Sequence, residues 1–404
     1  MLQLIVTVII LGVAILIHEL GHLLAALLSG IPVERFSIGF GPMIIKRKIK
    51  GIDFGIGPIP LGGYVKIRGK NGIFNEEPKR RFPVLFMGPI FNILSAPIII
   101  VFIFVLFGLK VTPTRKVVVD QGTAIEAGMA TGDEILAIDG EEVNYWEDIS
   151  IKLFTPGSKM IRFKRADEIR EVRLTGDSLG IEPLIPPVIG MVRKDGPADR
   201  AGIRDGDLIV RVDGNPVTTW DGMAEIIRSR PGEEINLEIR RDQEIIDIVV
   251  TPDLVRLPDQ TIGQIGVMTQ FKTINLNGVE AISIGLDRFK NLFLFTGSFL
   301  IRLITMRESV RNLGGPVAIA RVSSESLSWG LDTLLFFLAF IMINLGIINL
   351  VPIPILDGGH IILSLFELVR KKRVSRNFLL VWQQIGVSIF IILAILVTFN
   401  DLTR

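Results

Sequence analysis

An uncharged run of seventeen residues, Met1 to Ile17, leads directly into His18-Glu19-Leu20-Gly21-His22, and apolar residues resume behind it as far as Leu28. Such a stretch is long enough to cross about 30 Å of hydrocarbon as a helix. Ionisable groups inside it are expensive and are kept for a partner, an ion or a reaction. His18 and His22 are four residues apart, which on a helix puts both rings on one face, one turn from each other. Two imidazoles at that spacing can share one metal ion, with Glu19 beside them to act on a water that the metal polarises. The competing reading is a chance match, with the histidines bonded to neighbouring helices. Glu19 weakens it, because a buried carboxylate with no partner is costly in lipid.

Composition narrows the choice of ligands. The three histidines of the chain are His18, His22 and His360, and there is no cysteine. Disulfides are excluded, and a metal site has to use nitrogen and oxygen ligands. A net charge of +2 provides no global basic field for nucleic acid, while 49% hydrophobic residues point to a membrane protein.

Three more apolar stretches are long enough to span: Phe82 to Leu109, Thr333 to Leu356 and Asn377 to Phe399. The first stretch lacks the basic leader and small-residue cleavage site of a signal peptide. Residues 34–81 carry eleven Lys/Arg against four Asp/Glu, and a second basic cluster (Arg370, Lys371, Lys372, Arg373, Arg376) separates the last two spans. Basic loops stay on the cytoplasmic side. Both chain ends and the region from about 110 to 330 are therefore expected outside. Within that region, Ala281 to Met306 has an uncharged core too short to span, and is expected as a helix lying on the membrane or against the bundle.

The outer region contains a duplication. "AIEAGMATGDEILAIDGEEVNYW" from Ala124 and "ADRAGIRDGDLIVRVDGNPVTTW" from Ala198 match at Ala127/Ala201, Gly128/Gly202, Asp133/Asp207, Asp139/Asp213, Gly140/Gly214 and Trp146/Trp220, an offset of 74. Each copy reads as a short helix ending at Gly, a strand, a D-G turn and another helix. The pattern resembles bacterial PDZ domains, an α+β fold. Such domains capture a carboxylate at an apolar-Gly-apolar loop. Ser178, Leu179, Gly180 and Ile181 form such a loop ahead of the second copy, and "GQIGVM" (263–268) is expected to complete the first. The alternative is that both copies act as a size filter against bulky outer domains.

A catalytic zinc takes three protein ligands and an open position. Asp357, in "NLVPIPILDGGH", is the candidate third ligand. Pro352 and Pro354 break the helix before it, so an irregular turn can aim its side chain sideways. The charge rule places this end of the third span at the depth of His18 and His22. His360 is either a further ligand or a residue behind the ligands. An ordinary D-G-G turn at a helix end is the plainer alternative for this stretch.

H-E-L-G-H in the first span, L-D-G-G at the third and PDZ-like repeats between them resemble the site-2 proteases, intramembrane zinc metalloproteases. "SIGFGP", "IPLGGYVKI", "GPIFN", "GGPVAIA" and "NLGIINLVPIPILDGGH" are similar to its bacterial RseP-like branch over nearly the whole chain. The resemblance implies one zinc per chain held by His18, His22 and Asp357, with Glu19 as acid/base. It implies four transmembrane helices, a re-entrant β-hairpin loop at about 38–67 and two outer PDZ domains in a bacterial inner membrane. It also implies substrates that are single-span membrane proteins already cut outside, such as an anti-sigma factor, and remnant signal peptides. A substrate helix has to unwind before cleavage. The glycine-rich stretch with Gly62 and Gly63 can receive it as an added strand, and Asn344 and Asn349 are candidates to bond its backbone or else to join helices. Gly88, Pro89 and Asn92 read as close helix packing. The expected divisions are 1–112 and 278–404 in the membrane, 115–180 and 181–270 as the two PDZ domains. Rival readings are a catalytically silent membrane PDZ scaffold and an ion transporter, the latter without visible inverted repeats.

Overall fold

The computed structural model describes residues 2–69, 72–153, 157–175, 179–256, 260–309 and 313–403. The chain divides into two units, one of residues 1–107 with 276–404 and one of residues 108–275. Among the described residues, four helices are long and apolar enough to cross a membrane: Gln3–Leu28, Pro78–Phe107, Leu331–Asn349 and Asn377–Asp401.

In the first unit, helix α1 (Leu2–Leu28) is followed by strands β1 (Val33–Phe40), β2 (Ile45–Ile49), β3 (Ile52–Ile56) and β4 (Ile59–Ile67), then helix α2 (Pro78–Phe107). The strands form one sheet in the order β2-β3-β1-β4, with β1 parallel to β3 and antiparallel to β4. A buried cluster of Leu23, Ala26, Ile31, Val33, Phe36, Ile67 and Val84 fastens this sheet to the C-terminal part of α1 and the start of α2. β4 is the edge strand that runs beside α1.

α1 and α2 approach most closely at the histidine motif. A Cβ on Gly21 would overlap the carbonyl oxygen of Met87, and one on Gly88 would overlap the ring of His22. Small residues at a crossing let two backbones meet without water or lipid between them.

The later part of the unit contains α3 (Gly278–Ile304), α4 (Pro316–Trp329), α5 (Leu331–Asn349), α6 (Asp357–Arg370) and α7 (Arg376–Thr403). α3 packs against α2 and α5 rather than standing alone. α5 crosses α2 at Gly346, where an added Cβ would lie 2.9 Å from the Pro89 carbonyl oxygen. The apolar run read as continuing to Leu356 ceases to be helical after Asn349. Residues 350–356 form a tight turn, with Leu356 N–H bonded to Ile353 O, as two prolines in that stretch require. α6 then starts at Asp357. Gly358 and Gly359 follow because a side chain at either would overlap carbonyls of the turn, those of Leu350, Val351 and Ile353.

α7 is mostly exposed, as a helix facing lipid is. Two close approaches hold it: Gly386, where a Cβ would meet Ile355 N at 2.6 Å, and Asp401, whose carboxylate accepts from the N–H groups of Gly315, Val317 and Ala318 at the start of α4. A carboxylate there satisfies N–H groups that have no partner in their own helix.

The second unit begins and ends with a strand pair, Leu109–Val111 against Lys272–Ile274. Its two copies share one plan. In the first, Glu168–Leu174, Lys159–Arg165, Glu134–Ile138 and Glu141–Glu142 lie in that order in a sheet; in the second, Glu244–Val250, Ile235–Arg241, Leu208–Val212 and Asn215–Pro216 do the same. Each has its own core, around Ile135, Ile161 and Phe163 in one and Ile209, Leu237 and Ile239 in the other.

An arginine clasp recurs in both. Arg165 holds Asp133 by two bonds of 2.7 and 2.8 Å and also reaches Gly128 O; Arg241 holds Asp207 by two bonds of 2.7 Å and also reaches Gly202 O. Asp133 and Asp207 are each 1% exposed. The fixed fork of the guanidinium suits a carboxylate held this way.

The assignment of the glycine loops has to be exchanged. Ile181–Pro183 pairs with Val117–Val119 of the first copy, and Val267–Thr269 pairs with Ile189–Val192 of the second. Leu179 O accepts from Ala124 N, and Ile265 O accepts from Ala198 N, the same bond one repeat later. Leu179, Gly180 and Ile181 therefore belong to the first copy, while residues 263–268 complete the second. Ser178 lies outside the described residues. The cause is chain order: the last strand of each copy returns to pair with its first, so the loop lies at the tail of its own copy and not ahead of the next.

Candidate metal centre

α1 brings His18, Glu19 and His22 to a site where both histidine rings meet the first residue of α6. His18 Nε2 lies 3.1 Å from Asp357 Oδ2, His22 Nε2 lies 3.4 Å from the same oxygen, and the two Nε2 atoms are 3.1 Å apart. The rings stand nearly perpendicular, with an interplanar angle of 88°. Tetrahedral ligands bonded to zinc at about 2.0–2.1 Å are separated by roughly 3.3 Å. The three atoms thus lie at the edges that a single small cation requires.

The protonation pattern agrees with this. His22 Nδ1 is 2.7 Å from Val84 O, which can only accept. Nδ1 therefore carries a proton, which leaves Nε2 as the ring nitrogen able to offer a lone pair to a cation. His18 is 8% exposed. Two imidazoles and one carboxylate, with no thiolate available, are the kind of donor set that a catalytic zinc site uses.

Glu19 is buried beside the trio, close to the backbone of Val65 on β4. Gly63, also on β4, lies so close that a Cβ would stand 2.8 Å from Glu19 Cγ. Gly62 packs under Phe40, whose ring an added Cβ would overlap.

Asn344 donates to Phe340 O on its own helix at 2.8 Å, and Asn349 is the last residue of α5. His360 does not join the trio; its ring packs edge-on against Phe74 at 5.2 Å.

One group escaped the sequence reading. Arg81, at the start of α2, is 1% exposed and pairs with Glu367 of α6, itself 3% exposed. Arg81 Nε also donates to Ser364 Oγ at 2.8 Å, and Glu367 Oε1 accepts from Val374 N at 2.7 Å. The available signal was Glu367, a lone carboxylate within the apolar run from Ile361 to Val369. That is the same anomaly that exposes Glu19.

A His-His-carboxylate centre with an adjacent glutamate, set among apolar helices, defines the class: a metallopeptidase centre within a membrane-type bundle. The family model described as Peptidase family M50 matches residues 6–393, and the chain belongs to that family. It is a zinc metalloprotease of the site-2 type. The chain is 33% identical to the "Regulator of sigma-E protease RseP" of Salmonella typhimurium, across 98% of this chain and 97% of the relative. It is 32% identical to the RseP of Escherichia coli K12 with the same coverage. A Neisseria meningitidis protein bearing a zinc metalloprotease name is 29% identical over 96% of both chains. Among solved structures, the PDZ domain of an SdrC-like protein from Listeria monocytogenes aligns with 20% of this chain and 84% of its own at 22% identity and a TM-score of 0.18.

Proposed function

We propose that the chain is an intramembrane endopeptidase in which His18, His22 and Asp357 hold one zinc ion and Glu19 is the acid/base. The convergence of two histidine Nε2 atoms and Asp357 Oδ2 within 3.4 Å carries this reading. Zinc bound there supplies a Lewis acid that polarises a peptide carbonyl and lowers the pKa of a water. Glu19 takes the proton from the attacking water and returns it to the departing amide nitrogen. The close approach of the Gly63 backbone supports the position of that side chain.

The substrate is a transmembrane segment of a single-span protein. A helix hides its carbonyls in its own bonds, so the scissile stretch is cut in extended form. β4 supports this, since it is a sheet edge running past Glu19, and an edge strand accepts an added strand. Gly62 and Gly63 let Phe40 and Glu19 pack directly on its backbone there. Asn344 and Asn349 are assigned to the freed substrate backbone.

The charge bias of the loops supports a bacterial inner-membrane protein with the outer unit in the periplasm and the metal centre toward the cytoplasm. The outer unit is read as two PDZ domains that filter substrates by size after a first outer cut. The names of the relatives support a place in the sigma-E pathway, with a membrane-bound anti-sigma factor as substrate and remnant signal peptides as others.

The deciding experiment uses Glu19→Gln in reconstituted membranes. Cleavage of a single-span substrate is expected to vanish while zinc content stays at one per chain. A variant that still cuts disproves the role of Glu19.

A further inference from the structure

Asn92 stands on α2, and its side chain is completely buried at 0% exposure. Its Oδ1 has no hydrogen-bond partner among the described residues, while its amide end lies 3.5 Å from Nδ1 of His18. An orphaned carbonyl oxygen in such a place costs about 1–3 kcal/mol. His18 aims its other nitrogen, Nε2, at Asp357 Oδ2 and His22 Nε2, each 3.1 Å away. An imidazole that offers Nε2 to a metal carries its proton on Nδ1, so the group facing Nδ1 has to accept. A half-turn of the terminal torsion of Asn92 presents its oxygen there.

We propose that Asn92 is a positioning residue of the metal centre. Its Oδ1 accepts from His18 Nδ1–H and fixes the tautomer and orientation of that ring, as Val84 O does for His22. The inference rests on reading His18, His22 and Asp357 as zinc ligands.

The geometry of α2 explains why these two positions act on adjacent histidines. Val84 and Asn92 are eight residues apart, about 12 Å along the helix, whereas His18 and His22 are about 6 Å apart along theirs. A helix carbonyl points toward the C-terminus and a Cβ tilts toward the N-terminus. The Val84 oxygen and the Asn92 side chain therefore converge on the level of Gly88. That is the residue without a Cβ, where the His22 ring lies.

The test compares full-length wild type, Asn92→Asp and Asn92→Leu in detergent micelles, with zinc affinity measured by competition against a chromophoric chelator. Asn92→Leu fills the space without an acceptor and is expected to weaken zinc binding about 10- to 100-fold. Asn92→Asp keeps an acceptor and is expected to stay within about threefold of wild type. If Asn92→Leu binds as wild type does, the residue only packs. If Asn92→Asp is as weak as Asn92→Leu, the amide is a donor. Either result overturns the proposal.

Because the chain has three histidines, 15N-histidine labelling of the wild type supplies a check that does not depend on the variants folding. Nδ1 of His18 is expected to carry the proton, and a proton on Nε2 in the zinc-loaded protein overturns the assignment. A wild type that binds no zinc would instead disprove the metal reading on which this rests.

Discussion

Gly88 of α2 faces the ring of His22 so closely that a methyl group on it would overlap Nε2, the nitrogen directed at Asp357. The helix crossing and the ligand geometry are therefore one feature. Gly88→Ala has to turn the ring or part the helices. Zinc affinity is expected to fall at least about 10-fold, as when a ligand loses its support. Gly297→Ala on α3, where nothing lies within 4 Å of an added Cβ, serves as the control and is expected to match wild type in the same chelator titration.

Arg81 and Glu367 form a pair that solvent does not reach. Arg81→Met leaves Glu367 buried and unpaired, and a loss of about 3–5 kcal/mol is expected. Arg81→Met/Glu367→Met removes both charges and should recover most of that. Thermal unfolding in one detergent compares the three proteins. A double variant no more stable than the single one would show that the pair is not balanced in this way.

The clasps of the second unit should be equivalent. Asp207→Ala removes both bonds to Arg241 and the one to the backbone N–H of Arg204, and Asp133→Ala does the same one repeat earlier to Arg165 and Ala130. Each is expected to destabilise its own copy by about 2–4 kcal/mol. Limited proteolysis of the whole protein should then give cuts confined to the altered copy. Cuts spread over both copies would mean that they unfold together.

Asp401→Ala uncovers the N-terminus of α4. A loss of about 1 kcal/mol at that helix end is expected. It is read as roughly fivefold faster amide exchange at Val317 and Ala318, with the middle of α7 unchanged. Unaltered exchange at those two amides would show that the carboxylate does not hold the helix.

The meeting of His18 and His22 with Asp357, beside Glu19, was legible because each of these residues breaks an expectation. His18, Glu19 and His22 interrupt a membrane helix, and Asp357 follows two prolines that end another. The four spanning helices were legible for the same reason, as long uncharged runs have few other uses. Other relationships were not legible. The glycine loops were assigned to the wrong copies because a fixed offset of 74 aligns residues but does not say which end of a copy closes its sheet. The arginine clasps were hidden because Arg165 and Arg241 are 76 apart and fall outside that same offset. Val84 meets His22 through its backbone oxygen, which leaves no mark on side-chain pattern, and Asn92, visible as a polar residue in a span, read only as helix packing because its neighbour His18 lies on another helix.

The strands that open and close the second unit pair directly, Leu109 opposite Ile274, so the chain leaves and returns at points about 5 Å apart. A segment of more than 160 residues is thereby attached like a cassette on a two-stranded stem. It can be exchanged for a tight turn without forcing the flanking helices to bridge a gap. The helical unit and the inserted unit are thus separable parts of one chain, free to change length and sequence independently of each other.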